Sequence, residues 1–249
     1  YLGFIFADKP KLTKKIGILA MIWAAMVHMG TGAIFGFIAA RPIFYSPLKP
    51  FEFVAAAMTS GLALLIIVVI LAFKFAKRNY RKEPFFSLGK LLLGLTIALV
   101  VIVSIDKLTH LYSPDREPTV WLLSGPFAWL FWGLQVGCGY FLPILLLSHP
   151  RFRNTIKGLM IASCLIVIGI FFERFNLVIP GTAYPMPFYP GRIEGVWGQE
   201  GSFPLTAIEL LMSLGIFAMM GLFFVLGLRY LELLPLLEKP APVPSSGER

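Results

Sequence analysis

Charged residues are scarce in this sequence. Asp, Glu, Lys and Arg make up only 14% of its 249 residues, whereas hydrophobic residues make up 57% and aromatic residues 14%. A soluble globular domain has about 25% charged residues, so this composition excludes that class of protein. It favours a chain that is surrounded mostly by lipid.

Residues that build metal centres and soluble active sites are also few. Cys138 and Cys164 each lie within an apolar run, which is typical of small buried side chains and not of a disulfide, zinc or iron–sulfur site. His28 and His110 lie at different depths along their helices at ~1.5 Å per residue, so a haem with two histidine ligands is not expected. Nucleotide loops, zinc spacings and a serine nucleophile elbow are absent from the sequence. We therefore expect this chain to have no catalytic residue, metal site, haem or iron–sulfur cluster of its own.

Long apolar stretches dominate what is present. A membrane span needs about 20 mostly apolar residues, and six stretches qualify: residues 16–40, 51–75, 88–112, 120–148, 155–179 and 205–234. They predict an all-α fold, a polytopic membrane helix bundle with about six transmembrane helices in a single domain over residues 1–249. Residues 180–204, rich in Pro, Gly and aromatics, are expected to cap the outer membrane surface, and the tail 240–249 to be disordered.

Lysine and arginine collect at alternate ends of the six stretches. Most of the 22 basic residues lie on one side of the membrane if the N-terminus is cytoplasmic, as the positive-inside rule requires. Both termini are therefore predicted to face the cytoplasm. The net charge of +9 is not gathered into one patch, so nucleic acid is not an expected partner.

The first helix carries a histidine near mid-depth. His28 has Thr31 and Gly32 three and four residues later, on the same helical face, and Gly32 with Gly36 forms a small-xxx-small pair that permits close approach of a helix or a flat ring. One interpretation is that His28 is a polar side chain hydrogen-bonded to a neighbouring helix. The other is that it is a proton donor or acceptor for a bound head group.

Further polar groups recur in the outer half of the predicted membrane, with Gln135 nearer its centre: Glu52, Asp106, His110, Glu173, Arg174, Asn176 and Glu209. Asp106 and His110 share one helical face, whereas Lys107 is expected to point away and reach outward. Each such group in hydrocarbon costs about 2.5–3.5 kcal/mol and needs a partner, water or a function. Two readings stay open: a structural ion-pair network in which Arg174 pairs with Glu173, Asp106 or Glu209, and a proton path.

Four stretches resemble one family of membrane subunits. They read HMGTGAIFGFIAARPIFYSP at residues 28–47, FWGLQVGCGYFLP at 131–143, FFERFNLVIPG at 171–181 and PLTAIELLMSLG, with Glu209, at 204–215. In order and spacing they are similar to the NrfD-like, or polysulfide reductase, membrane subunits, which include those of hydrogenase-2 and the Dsr complex. The 41–47 segment favours the Dsr type.

The resemblance implies a quinone-interacting membrane subunit of a respiratory redox complex. Family members have two four-helix bundles, no haem or cluster of their own, and a quinone site beside a ferredoxin-like iron–sulfur protein on the outer side. The resemblance then puts His28, Thr31 and Gly32 at the head group of menaquinone. It assigns a proton path to a second set of residues: Asp106, His110, Glu173, Arg174 and Glu209.

The resemblance also implies where the protein works and what surrounds it. The location would be the cytoplasmic membrane of a prokaryote, with lipid and further membrane and cytochrome subunits of a hetero-oligomeric complex as partners. Since family members have eight to ten helices, this chain resembles their C-terminal part, and residues 1–8 resemble the end of a preceding helix. The alternative function is a non-catalytic membrane anchor for soluble redox subunits. A secondary transporter is not favoured, because the sequence lacks an internal inverted repeat.

Overall fold

The computed structural model describes residues 10–75, 83–184 and 206–230, and within these ranges the protein is helical and has no strand. The expectations for residues 1–8, for 185–204 of the predicted cap and for the tail 240–249 lie outside them. The helices are α1 (Pro10–Gly36), α2 (Lys49–Phe75), α3 (Glu83–Tyr112), α4 (Glu117–Ser124), α5 (Leu130–Ser148), α6 (Pro150–Arg153), α7 (Ile156–Ala183) and α8 (Ala207–Tyr230).

Six of these helices are long and apolar enough to cross a membrane: α1, α2, α3, α5, α7 and α8. The predicted class, a polytopic helical membrane protein, is therefore confirmed. The chain separates into two compact units, residues 1–202 and 203–249, and the two are described separately below. The single domain over residues 1–249 stays a prediction.

One predicted span is divided in the structure. The sequence predicted a single helix over residues 120–148, but α4 ends at Ser124 and α5 begins at Leu130. The residue after α4, Gly125, has extended backbone angles, φ −83° and ψ −163°. It precedes Pro126, whose ring disfavours helical angles in the residue before it. The hydropathy of this stretch gave no sign of the break, because both sides of it are apolar.

The first part of α5 is a wide helix. Leu130–Phe141 forms a π-helix of 12 residues, and α-helical geometry resumes at Leu142–Ser148. The N–H of Leu142 still bonds to the carbonyl of Gly137, five residues back, as π geometry requires. π-helical geometry is rare and is frequently found at functional sites, so α5 is the first place to look for unusual side-chain positions.

α2, α3, α5 and α7 pack into the core of the first unit. Its fully buried apolar residues are Ala56, Ala63, Ile66, Leu92, Leu99, Leu147, Leu159, Ala162 and Ile166. Large apolar side chains also cover the outside of the bundle, as expected where lipid replaces water. Because lipid is as apolar as the core, close van der Waals packing at small residues holds such helices together.

Small residues produce the closest helix contacts. Gly139 of α5 and Gly169 of α7 lie against each other so closely that a Cβ on either one would collide with the Cα of the other. On α1, a Cβ at Gly32 would lie 2.7 Å from the carbonyl oxygen of Lys49 and 2.8 Å from the Cα of Pro50. The predicted small-xxx-small approach is therefore made to the beginning of α2.

The segment between α1 and α2 is fixed to the end of α7. The guanidinium of Arg41 donates to the carbonyl oxygens of Thr182 at 3.0 Å and Tyr184 at 3.2 Å, which lie at the C-terminus of α7 where carbonyls lack helical partners. Phe44 packs against Gly181 of α7, where any side chain would collide with the ring. Residues 180–183, predicted to belong to the surface cap, are thus the last turn of α7.

The second unit is described only for residues 206–230. α8 begins with a capping box, in which the N–H of Thr206 donates to Glu209 Oε2 at 2.9 Å and the N–H of Glu209 donates to Thr206 Oγ1 at 3.3 Å. Nearly all of its side chains are exposed. Glu209 is therefore a helix-capping residue in this unit.

Gly139→Ala should lower the free energy of unfolding of the purified protein by about 1–3 kcal/mol, because the added methyl group forces α5 and α7 apart. Gly133→Ala, in the same π segment but with open space around its Cβ position, is the matched control and should not destabilise the protein. Denaturant titration in detergent measures both. Equal stability of the two variants would contradict the close α5–α7 contact.

Candidate functional site

Four charged side chains meet where the beginning of α2 lies against the end of α3. Lys49 Nζ lies 2.6 Å from Glu52 Oε2 and 3.1 Å from Asp106 Oδ2, and Lys107 Nζ lies 3.1 Å from the same Asp106 oxygen. Lys49 is 1% exposed and Asp106 is fully buried. We call Lys49, Glu52, Asp106 and Lys107 the charge cluster.

The local sequence explains how the charge cluster can be buried. Lys49 and Glu52 are three residues apart at the first turn of α2, so their side chains lie on one face, and the carboxylate of Glu52 is favoured near a helix N-terminus. Two lysines and two carboxylates give a formal charge of zero. Buried charges are tolerated only when paired in this way.

Ser46 and His110 extend the charge cluster toward the surface. Ser46 Oγ donates to Asp106 Oδ1. In His110, Nδ1 lies 2.7 Å from the backbone oxygen of Asp106 and Nε2 lies 2.8 Å from that of Tyr45. Carbonyl oxygens only accept, so the ring nitrogen that carries a proton is the one that donates, and the tautomer decides which of the two contacts is a hydrogen bond.

An open pocket gives this edge of the charge cluster access to the surroundings. It measures about 490 Å³, and Ser46 and His110 both line it. Tyr45, Thr109 and Asp115 contribute other polar groups to its wall. The side chains in contact with Asp106 therefore reach a space large enough to hold many water molecules.

A second polar group lies between α5 and α7. Tyr140 Oη donates to Glu173 Oε2 at 2.7 Å, Asn176 Nδ2 donates to Gln135 Oε1 at 2.9 Å, and Gln135 Nε2 lies 3.3 Å from Tyr140 Oη. All four side chains are buried. We call Gln135, Tyr140, Glu173 and Asn176 the carboxylate–amide group.

Arg174 has two neighbours of different kinds. Its Nη1 lies 3.7 Å from Glu173 Oε1, and its guanidinium carbon lies 3.6 Å from the centre of the Phe53 ring, a cation–π arrangement. Of the three partners considered for Arg174, the structure brings Glu173 to it. The pair is an electrostatic contact without a direct hydrogen bond to Glu173 Oε1.

A small cavity separates the charge cluster from the carboxylate–amide group. It measures about 20 Å³, and its polar wall comes from both sides: Lys49, Glu52, Lys107, Gln135, Glu173 and Asn176. Apolar side chains, including Leu122 and Leu177, complete its lining. The two polar groups are thus adjacent at one end of the bundle.

The residues predicted for a proton path fall into three places. Asp106 and His110 belong together beside the open pocket, and Glu173 with Arg174 lies across the small cavity from them. Glu209 caps α8 in the other unit. The first four therefore lie at one end of the bundle.

The residues predicted for the quinone head group differ in exposure. His28 and Thr31 lie on an exposed face of α1. His28 Nδ1 lies 2.9 Å from the backbone oxygen of Ala24, and Thr31 Oγ1 donates to that of Val27 at 3.0 Å. Gly32 is buried against α2. The position predicted to contact a quinone ring is therefore occupied by the packing of α1 on α2.

Sequence reasoning missed part of the site. The predicted second span began at residue 51 and left Lys49 out, neither Ser46 nor Tyr140 was singled out, and the expectation that Lys107 points away from Asp106 was wrong. The three-residue spacing of Lys49 and Glu52 at the start of an apolar run was the available signal. Nothing in the sequence revealed the contacts of Ser46 and Tyr140, which are tertiary.

Metal ligands do not gather in the described ranges. Among residues 10–75, 83–184 and 206–230, no three His, Cys, Asp or Glu side chains are grouped so that they could hold a metal ion. Cys138 and Cys164 are free and partly buried. The side chains that do gather at the site can transfer protons and can donate and accept hydrogen bonds.

Comparison with known proteins gives consistent matches. The family model described as Polysulphide reductase, NrfD matches residues 3–185. The Hdr-like menaquinol oxidoreductase integral membrane subunit of Archaeoglobus fulgidus is 33% identical over 244 residues, which is 94% of this chain and 61% of that protein. The putative dimethyl sulfoxide reductase membrane subunit of Halobacterium salinarum is 32% identical over 231 residues, 87% of this chain and 52% of the relative.

A third relative belongs to a selenate reductase. This selenate reductase subunit of Mesobacillus selenatarsenatis is 34% identical over 194 residues, 76% of this chain and 44% of the relative. The chain thus spans between 44% and 61% of the length of these three relatives.

Lys49→Met should destabilise the protein by about 3–5 kcal/mol, because it leaves Glu52 and Asp106 in a buried site with an uncompensated charge. Adding Asp106→Asn restores formal neutrality and should recover part of the loss. Lys90→Met, which removes an exposed lysine of α3, is the control and should change stability by less than about 0.5 kcal/mol. Denaturation in detergent compares the three, and similar stability of Lys49→Met and Lys90→Met would refute the pairing.

Proposed function

Since the chain belongs to the NrfD (polysulphide reductase) family, we propose that it is the quinone-interacting membrane subunit of a respiratory redox complex. It exchanges electrons between menaquinone and an adjacent iron–sulfur subunit. The name of the Archaeoglobus relative, a menaquinol oxidoreductase membrane subunit, supports the choice of quinone. The names of the other two relatives, subunits of dimethyl sulfoxide and selenate reductases, support a redox complex with further subunits.

This proposal rests on one observation: buried titratable side chains lie together at one end of the bundle. The charge cluster and the carboxylate–amide group share one small cavity, and the charge cluster reaches an open pocket through His110. Oxidation of a quinol releases two electrons and two protons, so a membrane subunit that handles quinol needs side chains that accept and pass on protons. Asp106, His110, Glu173 and Arg174 supply such a path in this proposal.

The exposed face of α1 fits a quinone head group at two of its three predicted positions. A carbonyl oxygen only accepts, so His28 Nδ1 donates to Ala24, and in the neutral ring Nε2 then keeps a lone pair that can accept a hydroxyl proton. Thr31 Oγ1 donates to Val27 and retains its own acceptor capacity. We assign the head group to His28 and Thr31, and we assign Gly32 to helix packing. When bound, the quinone supplies the two-electron chemistry.

The surroundings of the chain follow from the same proposal. The distribution of Lys and Arg supports a cytoplasmic side for both termini and an outer location for the charge cluster. The iron–sulfur partner, of the ferredoxin-like type, then docks on the outer side. The membrane is the cytoplasmic membrane of a prokaryote, and other membrane and cytochrome subunits complete the complex.

A second candidate function is a non-catalytic membrane anchor for soluble redox subunits. It is favoured by the broad apolar surfaces of the protein: only 6% of the most apolar part of α1 is buried within the chain. Such a surface suits contact with lipid or with neighbouring helices whether or not electrons pass. The two functions differ in what His28 does.

His28→Ala in the assembled complex should reduce turnover with a menaquinol analogue by at least about a hundredfold, the usual contribution of a positioned proton acceptor. Val27→Ala, a smaller change on the exposed surface of the same helix, is the control and should retain full turnover. Assembly is checked by identifying the proteins that co-purify with each variant. Unchanged turnover of an intact His28→Ala complex would favour the anchor.

A further inference from the structure

Two buried acceptor atoms at the small cavity lack a hydrogen-bond donor in the described part of the chain. Glu173 Oε1 and Asn176 Oδ1 are inaccessible and receive no hydrogen bond from the described part of the chain, and both residues line the cavity. Glu173 is 3% exposed and Asn176 is 3% exposed. A buried acceptor that has lost water and gained no donor is costly, so these two atoms together point to a donor between them.

The orientation of Asn176 is fixed by its other contact. Its Nδ2 donates to Gln135 Oε1 at 2.9 Å, and a rotated amide would bring two oxygens together there. Oδ1 is therefore the atom left without a donor. The nearest cation to Glu173 Oε1, Arg174 Nη1, is 3.7 Å away, too far for a direct hydrogen bond.

The cavity has the size and the donors for one water molecule. A site of about 10–15 Å³ can hold a water when two to four polar partners surround it, and this cavity measures about 20 Å³. Lys49 and Lys107 line it on the opposite side. Each ammonium has three hydrogens, of which Lys49 uses two and Lys107 uses one in the hydrogen bonds of the described ranges. A water there can accept from a lysine and donate to both oxygens.

A metal cation fits this cavity less well than water does. Although Glu52 and Glu173 contribute carboxylates, the two ammonium groups of Lys49 and Lys107 share the same wall and would repel a cation. A neutral molecule that both donates and accepts hydrogen bonds can bond to the ammonium groups and to the acceptor oxygens at the cavity. The charges and the hydrogen-bonding groups at the cavity thus favour water as its occupant.

We propose that one buried water joins the charge cluster to the carboxylate–amide group. One continuous hydrogen-bonded chain then runs from Ser46 at the open pocket, through the Asp106 carboxylate and a cavity-lining lysine, to the water, Glu173 and Tyr140. The connection itself is a structural claim, and its use as a proton route rests on the proposed function. In each transfer the water takes one proton from one neighbour and gives one to the other, so one proton and no electron moves and the water is restored.

The proposed water bridges the two groups across a cavity that apolar side chains also line. Leu177 of α7 and Leu122 of α4 both line it. A larger apolar side chain at either position would fill the space without changing any titratable group. Such a variant therefore tests the connection and leaves every charge in place.

The first test is density at the cavity. In a high-resolution electron cryomicroscopy map of the complete native complex, a peak within hydrogen-bond distance of both Glu173 Oε1 and Asn176 Oδ1 is the expected result. Its coordination identifies it as water if it also lies beside an ammonium nitrogen. An empty cavity, or a site in which the two oxygens find protein donors, would overturn the inference whatever the complex catalyses.

The second test is Leu177→Phe in the complete complex, with Leu108→Phe, at an exposed position of α3, as the matched control. Leu177→Phe should remove the density peak and slow quinol-linked turnover by at least about tenfold with little change in KM, since proton transfer by a positioned group contributes about 10²–10⁴-fold. Leu108→Phe should change neither. If Leu177→Phe does not assemble, Leu122→Phe fills the cavity from α4 instead.

The outcomes separate the inference from the proposed function. A peak that disappears in Leu177→Phe without any change in turnover overturns the proton route. A peak that is present while His28→Ala retains full turnover supports the water connection and overturns the quinone role. Loss of the peak together with slower turnover supports both.

Discussion

The pairing of Lys49 with Asp106 is the interaction on which the site depends. Lipid surrounds the bundle and its core is apolar, so a charge placed there has no water to stabilise it and must find an opposite charge. Lys49 meets that need for Glu52 and Asp106 at once. Because the three residues belong to α2 and α3, their pairing also fixes how the beginning of one helix lies against the end of the other. Lys49 and Glu52 line the small cavity, and Ser46 and His110, which contact Asp106, line the open pocket.

Close glycine contacts bring the second half of the site into place. Gly139 and Gly169 let α5 and α7 approach almost backbone to backbone, and the hydrogen bond from Tyr140 to Glu173 lies beside this contact. The π geometry of α5 sets the direction of Gln135 and Tyr140. Packing of small residues and pairing of charges are thus complementary: the first places the helices, and the second determines which polar groups they can bury.

The sequence predicted the spans well because a membrane imposes a simple requirement on length and hydropathy. It also predicted that Asp106, His110, Glu173 and Arg174 lie toward one end of the bundle, since alternating helix direction fixes the depth of each. The break between α4 and α5 was missed because hydropathy does not register a change of backbone geometry. Lys49 was missed because it sits at a helix boundary, where burial depends on the neighbours that the fold supplies. The direction of Lys107 was wrong for the same reason: its partner Asp106 pulls it inward.

The clamp of Arg41 on the end of α7 has a mechanical consequence. It ties the segment that carries Ser46, a hydrogen-bond donor to Asp106, to the helix that carries Glu173. A force applied to this segment, as when another protein seats on that surface, would be transmitted to both polar groups in the same movement. The clamp therefore couples the position of Ser46 to the position of the C-terminal end of α7.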